Sequence, residues 1–545
     1  MLAASRKRRA TSHARPHARL HWPPSTPLPM TRSTTSRIPR ASRERGPLAE
    51  MLAIATPTMA TMLSYTLMQF VDKYYCSRLG PEELAAAGNG GIAAWFPVSV
   101  MMGLLGVVNT YVSQNFGAGR PERGPAYAWA GMWMGLGVWL VILVPYGIFL
   151  PQVYAAMRDG LNLEHPSARV IELETIYARI LIAGMVLTLW ARGIAQFFYG
   201  MHRPLVVAAG VVAGNLVNWY FTWALVFGKH GFPEWGVAGS AVGTVIGGFV
   251  EFAIPMGVFL SSKYRTKFRT LASWRPSVDR IRDIWRIGWP AGLMFGNEMI
   301  CWWIFMAGLV ARFGTEHNAA GWITLQYMHL SFMPAVGMSI AVTAIVGKCV
   351  GSGRFDLAVQ RVGLATKLTM LYMGVCAASF VLFREPMIRL FASGDHNQWT
   401  PEQTEAVIRI GSQLLILAAI FQLFDAIGIT LVGALRGAGD TVWPGVMTAI
   451  ISWGVIIGGG WSLAVFAPGL GSLGPWMAAA AYIILFAILL LWRFRSGAWR
   501  SKAVVQPAEM RCPTCSFDLA GLITPSICPE CGSSVGRPAA LSNEL

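Results

Sequence analysis

The chain has 545 residues, of which 54% are hydrophobic and only 13% charged, with a mean hydropathy of +0.48. Average soluble domains carry about 25% charged residues, so this chain has too few charges to coat several soluble domains and reads as an all-α polytopic membrane protein. Its net charge of +17 raises nucleic-acid binding, but the way that charge is distributed argues against it.

Residues 1–46 hold Arg6, Lys7, Arg8, Arg9, Arg15, Arg19, Arg32, Arg37, Arg40, Arg43 and Arg45 against Glu44, which accounts for ten of the excess positive charges. Such a Pro- and Ser-rich, acid-poor stretch reads as a disordered basic leader. It resembles an organelle transit peptide, and its lack of a continuous apolar run excludes a secretory signal. The simpler expectation is an over-extended translation start, with Met30 or Met51 as initiator.

Apolar segments follow at 50–75, 86–112, 126–150, 176–199, 204–228, 236–261, 284–311, 319–347, 364–383, 407–435, 442–466 and 474–494. Each approaches the roughly 20 residues that a membrane helix needs, so the pattern predicts twelve transmembrane helices with both termini on one side. Arg120, Arg123, Arg203, Lys348, Arg354, Arg361, Arg436 and a dense run from Lys263 to Arg286 fall in alternate loops. The intervening loops are richer in acids, among them Glu82, Glu83, Asp159, Glu164, Glu172, Glu174, Glu385, Asp395, Glu402 and Glu405. The positive-inside bias places the basic loops and both termini in the cytoplasm, and makes the Lys263–Arg286 run a determinant of topology.

The sequence repeats itself. Gly80 to Glu82 corresponds to Gly314 to Glu316, Gly103 to Gly337, and the GAGR of Gly117–Arg120 to the GSGR of Gly351–Arg354, all at a constant offset of 234. Pro57 pairs with Pro290, and Tyr199 to Pro204 echoes Gly433 to Pro444 more weakly. Two homologous lobes of six helices follow: 47–261 and 284–496, joined by a basic inter-lobe loop at 262–283. Six is even, so equivalent helices run the same way, an arrangement that recurs in secondary transporters with a site between the repeats.

Four carboxylates lie within predicted spans: Asp72, Glu251, Glu298 and Asp425. An aspartate at the centre of a membrane helix costs about 2.5–3.5 kcal/mol on insertion scales. Such a group can exchange a proton, or bind a cation where oxygen ligands converge. The bland alternative is a structural hydrogen bond or an ion pair with an arginine such as Arg192. Cys76, Cys301, Cys349 and Cys376 are scattered singly among apolar segments and read as small hydrophobes.

Several motifs together resemble the multidrug and toxic compound extrusion (MATE) transporters over Leu52 to about Arg495. They are MQFVDKYYCSRLGPEELAA (Met68–Ala86), VSQNFGAGR (Val112–Arg120), GNLVNWYFTWALVFG (Gly214–Gly228), WGVAGSAVGT (Trp235–Thr244) and ALRGAGDT (Ala434–Thr441). The resemblance implies two six-helix lobes around a central cavity, alternating access, and drug export driven by inward sodium or proton flow. Asp72 then matches the first-helix aspartate of an N-lobe cation site, and Asn215 and Asn218 the fifth-helix asparagines that share it. Glu298 and Asp425 resemble the acidic pair of the bacterial NorM-type branch, whereas Glu251 matches no family position and is assigned a structural role.

Lys73 stands where the family usually has a small polar residue. Helical neighbours are about 100° apart, so Lys73 faces elsewhere unless its side chain bends back to pair with Asp72 and displace the coupling cation. Met294, Trp302, Trp303, Met328 and Phe421 are the aromatic and methionine residues expected to line a cavity for flat lipophilic cations. The expected protein is a monomer in a bacterial inner membrane with small-molecule and lipid partners, not an enzyme and not a nucleic-acid binder.

After a linker at 497–510, residues 511–533 contain Cys512, Cys515, Cys528 and Cys531 in the spacing C-x2-C-x12-C-x2-C. That is close to the spacing of tetrathiolate zinc sites. It predicts a small cytoplasmic zinc-ribbon-like tail in which four thiolates saturate a structural metal. The leading functional expectation is a sodium- or proton-coupled exporter of organic cations. The alternatives are a lipid-linked or polysaccharide flippase of the same superfamily, and a membrane-anchored signalling or nucleic-acid-binding protein acting through the tail.

Overall fold

A computed structural model describes residues 46–154, 168–392, 400–505, 514 and 530–533. The basic leader up to residue 45 and most of the cysteine-rich tail lie outside the described residues. Regular structure among the described residues is helical throughout.

In chain order the long helices are α1 (Pro47–Ser77), α2 (Glu82–Gly117), α3 (Pro121–Ile148), α4 (Ala168–Gly200), α5 (Pro204–Val226) and α6 (Gly236–Leu260). The second set is α7 (Val278–Phe313), α8 (Thr315–Gly351), α9 (Phe355–Leu382), α10 (Pro401–Ala438), α11 (Val442–Phe466) and α12 (Leu473–Arg495). Eleven of them, all but α4, are long and apolar enough to cross a membrane, so the protein is a multi-pass membrane protein. Proline opens α1, α5 and α10 at the first helical turn, where its missing N–H costs nothing.

The repeat is visible in the packing: α2 lies on α4 as α8 lies on α10, and α4 on α6 as α10 on α12. It is also visible in the turns. Gly119 (φ 72°), Gly353 (φ 70°) and Gly439 (φ 92°) each follow a helix in the left-handed conformation. In each turn the next residue's N–H bonds back five positions: Arg120 to Asn115, Arg354 to Cys349 and Asp440 to Leu435, at 2.8–2.9 Å. That pattern satisfies the last carbonyls of the helix and favours glycine at the turning position. His202 (φ 58°) makes another such turn, with Arg203 N–H on Phe198 O at 2.8 Å. The weaker echo of Tyr199–Pro204 with Gly433–Pro444 is therefore a shared turn.

The lobes meet along α1 with α8 and α2 with α7, and glycines set how closely. A Cβ on Gly103 would run into the Ala291 carbonyl, and one on Gly337 would reach the Thr58–Met59 backbone. A Cβ on Gly117 would strike the Lys348 carbonyl, and one on Gly351 the Gln114 carbonyl. Each pair is the repeat image of the other, so a pseudo-two-fold axis passes through the seam.

Polar contacts across the seam gather at the end bearing GAGR and GSGR. Asn109 donates to Ile340 O (3.3 Å), Thr110 to Arg436 O (2.8 Å) and Gln114 to Gly437 O (2.9 Å). Glu50 at the start of α1 pairs with Lys348 and Arg361. After α12 the chain turns back as a strap. Trp499 is buried and stacks on Phe494 (5.2 Å, 2°), and the N–H groups of Val504 and Val505 both donate to Gln114 Oε1 (2.9 and 3.0 Å). Gln114 thus ties α2, α10 and the strap together.

The inter-lobe loop is folded as well as basic. It contains a short helix, Ser262–Phe268, and Trp129 and Trp133 of α3 donate to its carbonyls at Thr270 and Trp274 (2.8 and 2.7 Å).

Candidate functional site

In the first lobe Asp72 is buried on α1. Thr222 of α5 donates to its Oδ1 (3.4 Å) and Thr244 of α6 to its Oδ2 (3.2 Å). Asn218 reaches both threonine hydroxyls from Nδ2 (3.4 and 3.3 Å), and its Oδ1 is buried without a partner. Carboxylate, hydroxyl and amide oxygens therefore converge from three helices, the donor set that hard cations prefer.

Asn215 belongs to a neighbouring contact: its Nδ2 donates to Ser64 O (3.0 Å) and Oγ (2.5 Å). It braces α5 against α1, one helical turn from the Asp72 cluster. Lys73 is exposed, and its charge acts on His329 of α8. No described ion pair joins it to Asp72, so the first-lobe carboxylate is free of that competitor.

In the second lobe Glu298 of α7 and Asp425 of α10 are both half-buried, and the charge of Glu298 acts on Asp425. Tyr482 of α12 is buried beside both. Among the described residues no hydrogen bond or ion pair reaches either carboxylate. Two carboxylates in one desolvated site need a proton or a cation between them.

The local backbone is unusual here. α7 widens to π-helical turns at Ile304–Val310 and α11 at Ser452–Gly459. Such stretches re-aim side chains and recur at functional sites. Asn297, next to Glu298, uses both ends of its amide on the second of these: Nδ2 on Ser452 Oγ (2.9 Å) and Oδ1 accepting from Trp453 Nε1 (2.8 Å).

Glu251 accepts from the Tyr65 hydroxyl and feels the charge of Arg192. That is the structural environment expected of it. Of the aromatic and methionine set, Phe421 is buried in the apolar core of the second lobe, and Trp302 and Met328 pack against that core. Met294 lies near Arg436 and Asp440, and Trp303 is 56% exposed. Phe421, Trp302 and Met328 thus share the second-lobe core, and Met294 and Trp303 stand outside it.

Thr222, Thr244, Asn297 and Tyr482 are the neighbours that sequence reasoning missed. One signal was present: Thr222 stands four residues after Asn218, on the same helical face.

Of the tail cysteines, Cys512, Cys515 and Cys528 lie outside the described residues. Cys531 is exposed, with Sγ 3.0 Å from Ser533 Oγ.

A family model described as MatE matches residues 57–224 and again 293–460, two stretches of equal length that fall one in each lobe. The chain is 26% identical over 468 residues to the probable multidrug resistance protein NorM of Thermotoga maritima, covering 84% of this chain and 94% of that one. It is 29% identical over 472 residues to the multidrug resistance protein PmpM of Pseudomonas aeruginosa, covering 85% and 94%. The backbone is similar to the crystal structure of MATE in the bent conformation, with a TM-score of 0.72 at 20% identity over 84% of this chain and 96% of that one. It is also similar to an outward-facing multidrug resistance MATE family transporter of the MOP superfamily, with a TM-score of 0.73 at 20% identity over 84% and 97%.

Proposed function

The chain belongs to the MatE family, and from that premise we propose that it is a secondary active multidrug exporter coupled to inward flow of sodium or protons. The observation that carries the reading is that Glu298 lies within charge range of Asp425 beside Tyr482, with no positive side chain bonded to either carboxylate among the described residues. A fixed cation would lock such a pair, whereas an unpaired one can take up a mobile cation or a proton.

The closed end supplies the second half of the mechanism. With the basic loops in the cytoplasm and α4 as a twelfth crossing, the side-chain bonds of Asn109, Thr110 and Gln114 seal the cytoplasmic face. Uptake of a cation at the second-lobe pair, and at Asp72 with Asn218, Thr222 and Thr244, changes the net charge inside each lobe. That shifts the balance between this arrangement and one open to the cytoplasm. Coupling requires that ion and substrate favour different states or compete for one.

Efflux of a fluorescent lipophilic cation from vesicles, with sodium and pH gradients imposed separately, tests the reading. One of the two gradients is expected to drive uphill export, and export indifferent to both would overturn antiport. The flippase alternative calls for a broad basic groove between the lobes, whereas Arg192 and Arg436 line a small cavity there. For the tail, the spacing of Cys512, Cys515, Cys528 and Cys531 supports a structural zinc with no role in transport.

A further inference from the structure

Above the sealed end, a cavity of about 10 Å³ lies between the lobes, room for roughly one water-sized particle. Arg192 enters it from α4 of the first lobe and Arg436 from α10 of the second, with Asn109, Gln196 and Thr343 completing the polar wall. The charge that acts on Arg436 is that of Arg192. Among the described residues neither arginine has an ion-pair partner. Glu251 offsets part of the Arg192 charge, and among the described residues no carboxylate does the same for Arg436. Asp440, four residues further along, is already committed to Arg493 at 2.8 Å.

Two guanidiniums facing each other across a domain seam repel, and this seam is the one the hydrogen bonds hold shut. Arg192 Nε and Asn109 Oδ1 are buried there without partners. The Thr343 hydroxyl is already spent on the Ser339 and Gly433 carbonyls, at 2.9 Å each. A water would satisfy Arg192 Nε and Asn109 Oδ1 but would leave the repulsion in place. A monoatomic anion, only somewhat larger than a water, would remove it, because charge-assisted bonds from both guanidiniums would then cross the seam.

We propose that Arg192 and Arg436 hold one monoatomic halide between the lobes, and that this anion stabilises the arrangement sealed at the basic end. The site is separate from the second-lobe pair, because neither Glu298 nor Asp425 lines the cavity. Its occupancy depends on neither Glu298 nor Asp425. Anion binding is therefore expected to persist in Glu298→Gln and Asp425→Asn chains even where export is lost.

The test uses the full chain purified in detergent, in sodium bromide or in sodium gluconate at matched sodium concentration. Bromide is expected to raise the thermal unfolding midpoint saturably. Crystals grown in bromide are expected to show an anomalous peak between the two guanidiniums. Arg192→Gln and Arg436→Gln should abolish the bromide response. If either fails to fold, Arg192→Lys and Arg436→Lys keep the charge but lose the planar fork, and should weaken the midpoint of the response by about tenfold, or 1.4 kcal/mol. Equal stability of the wild-type chain in the two salts, no anomalous peak, or a bromide response undiminished in the arginine variants would each overturn the proposal.

Discussion

Asp440 is 3% and Arg493 16% exposed at the side chain, and they meet at 2.8 Å beneath the turn that ends α10. Removing one partner of a buried pair strands the other charge, at a cost of about 3–5 kcal/mol. Asp440→Asn is therefore expected to lower the thermal unfolding midpoint clearly, and an unchanged midpoint would show that the pair contributes little. A second prediction concerns the hydroxyl that Thr244 gives to Asp72 Oδ2. Thr244→Val should reduce gradient-driven efflux while Thr244→Ser retains it; equal loss in both would point to packing instead of the hydroxyl.

The sequence revealed the carboxylates at this scale because the membrane makes every intramembrane charge stand out. It did not reveal Thr222 or Thr244, because a helical threonine usually spends its hydroxyl on the carbonyl four residues back. Thr244 does so as well, at 3.0 Å to Ser240 O, and nothing in the sequence distinguishes the second bond. The surroundings of the five aromatic and methionine residues were not legible for a related reason: helical spacing places a side chain on a face without saying whether that face meets core, cavity or lipid.

At the scale of elements, the seam depends on glycine. A side chain at Gly351 would collide with the Gln114 carbonyl, and one at Gly117 with that of Lys348. Gly351→Val is expected to force the basic end apart. Cys349, buried at the seam against α1, serves as a native probe. Its reactivity with a membrane-permeant maleimide should rise several-fold in Gly351→Val, and unaltered protection would argue that the lobes yield elsewhere.

The GAGR and GSGR motifs were legible as a repeat, and the structure gives their physical content: a left-handed glycine turn and a glycine against the opposite lobe. The strap after α12 was not legible. Its bonds run from Val504 and Val505 to Gln114, some 390 positions earlier, and no local pattern announces a contact at that separation. The strap also determines where the tail can be cut. Truncation after Val505 removes the cysteine cluster and keeps the Gln114 bonds, so efflux should persist. Truncation after Arg500 removes those bonds as well and should weaken the seal, which maleimide labelling of Cys349 would register. Loss of efflux on the first cut would assign the tail a part in transport.

At the scale of the molecule, twofold symmetry was readable from the constant offset of 234, and the helix packing follows it. Against the predicted count of twelve crossings, eleven helices among the described residues satisfy length and hydropathy, with α4 standing apart. Function is where the symmetry breaks: the first lobe buries Asp72 among hydroxyls and an amide, and the second brings Glu298 within range of Asp425. The central claim is that this second-lobe pair couples ion flow to export. The most direct test is a comparison, in the same vesicles, of uphill efflux and downhill exchange of one fluorescent cation by wild-type, Glu298→Gln and Asp425→Asn chains. Both variants are predicted to keep downhill exchange and lose uphill efflux; uphill efflux at the wild-type level in both would contradict the account.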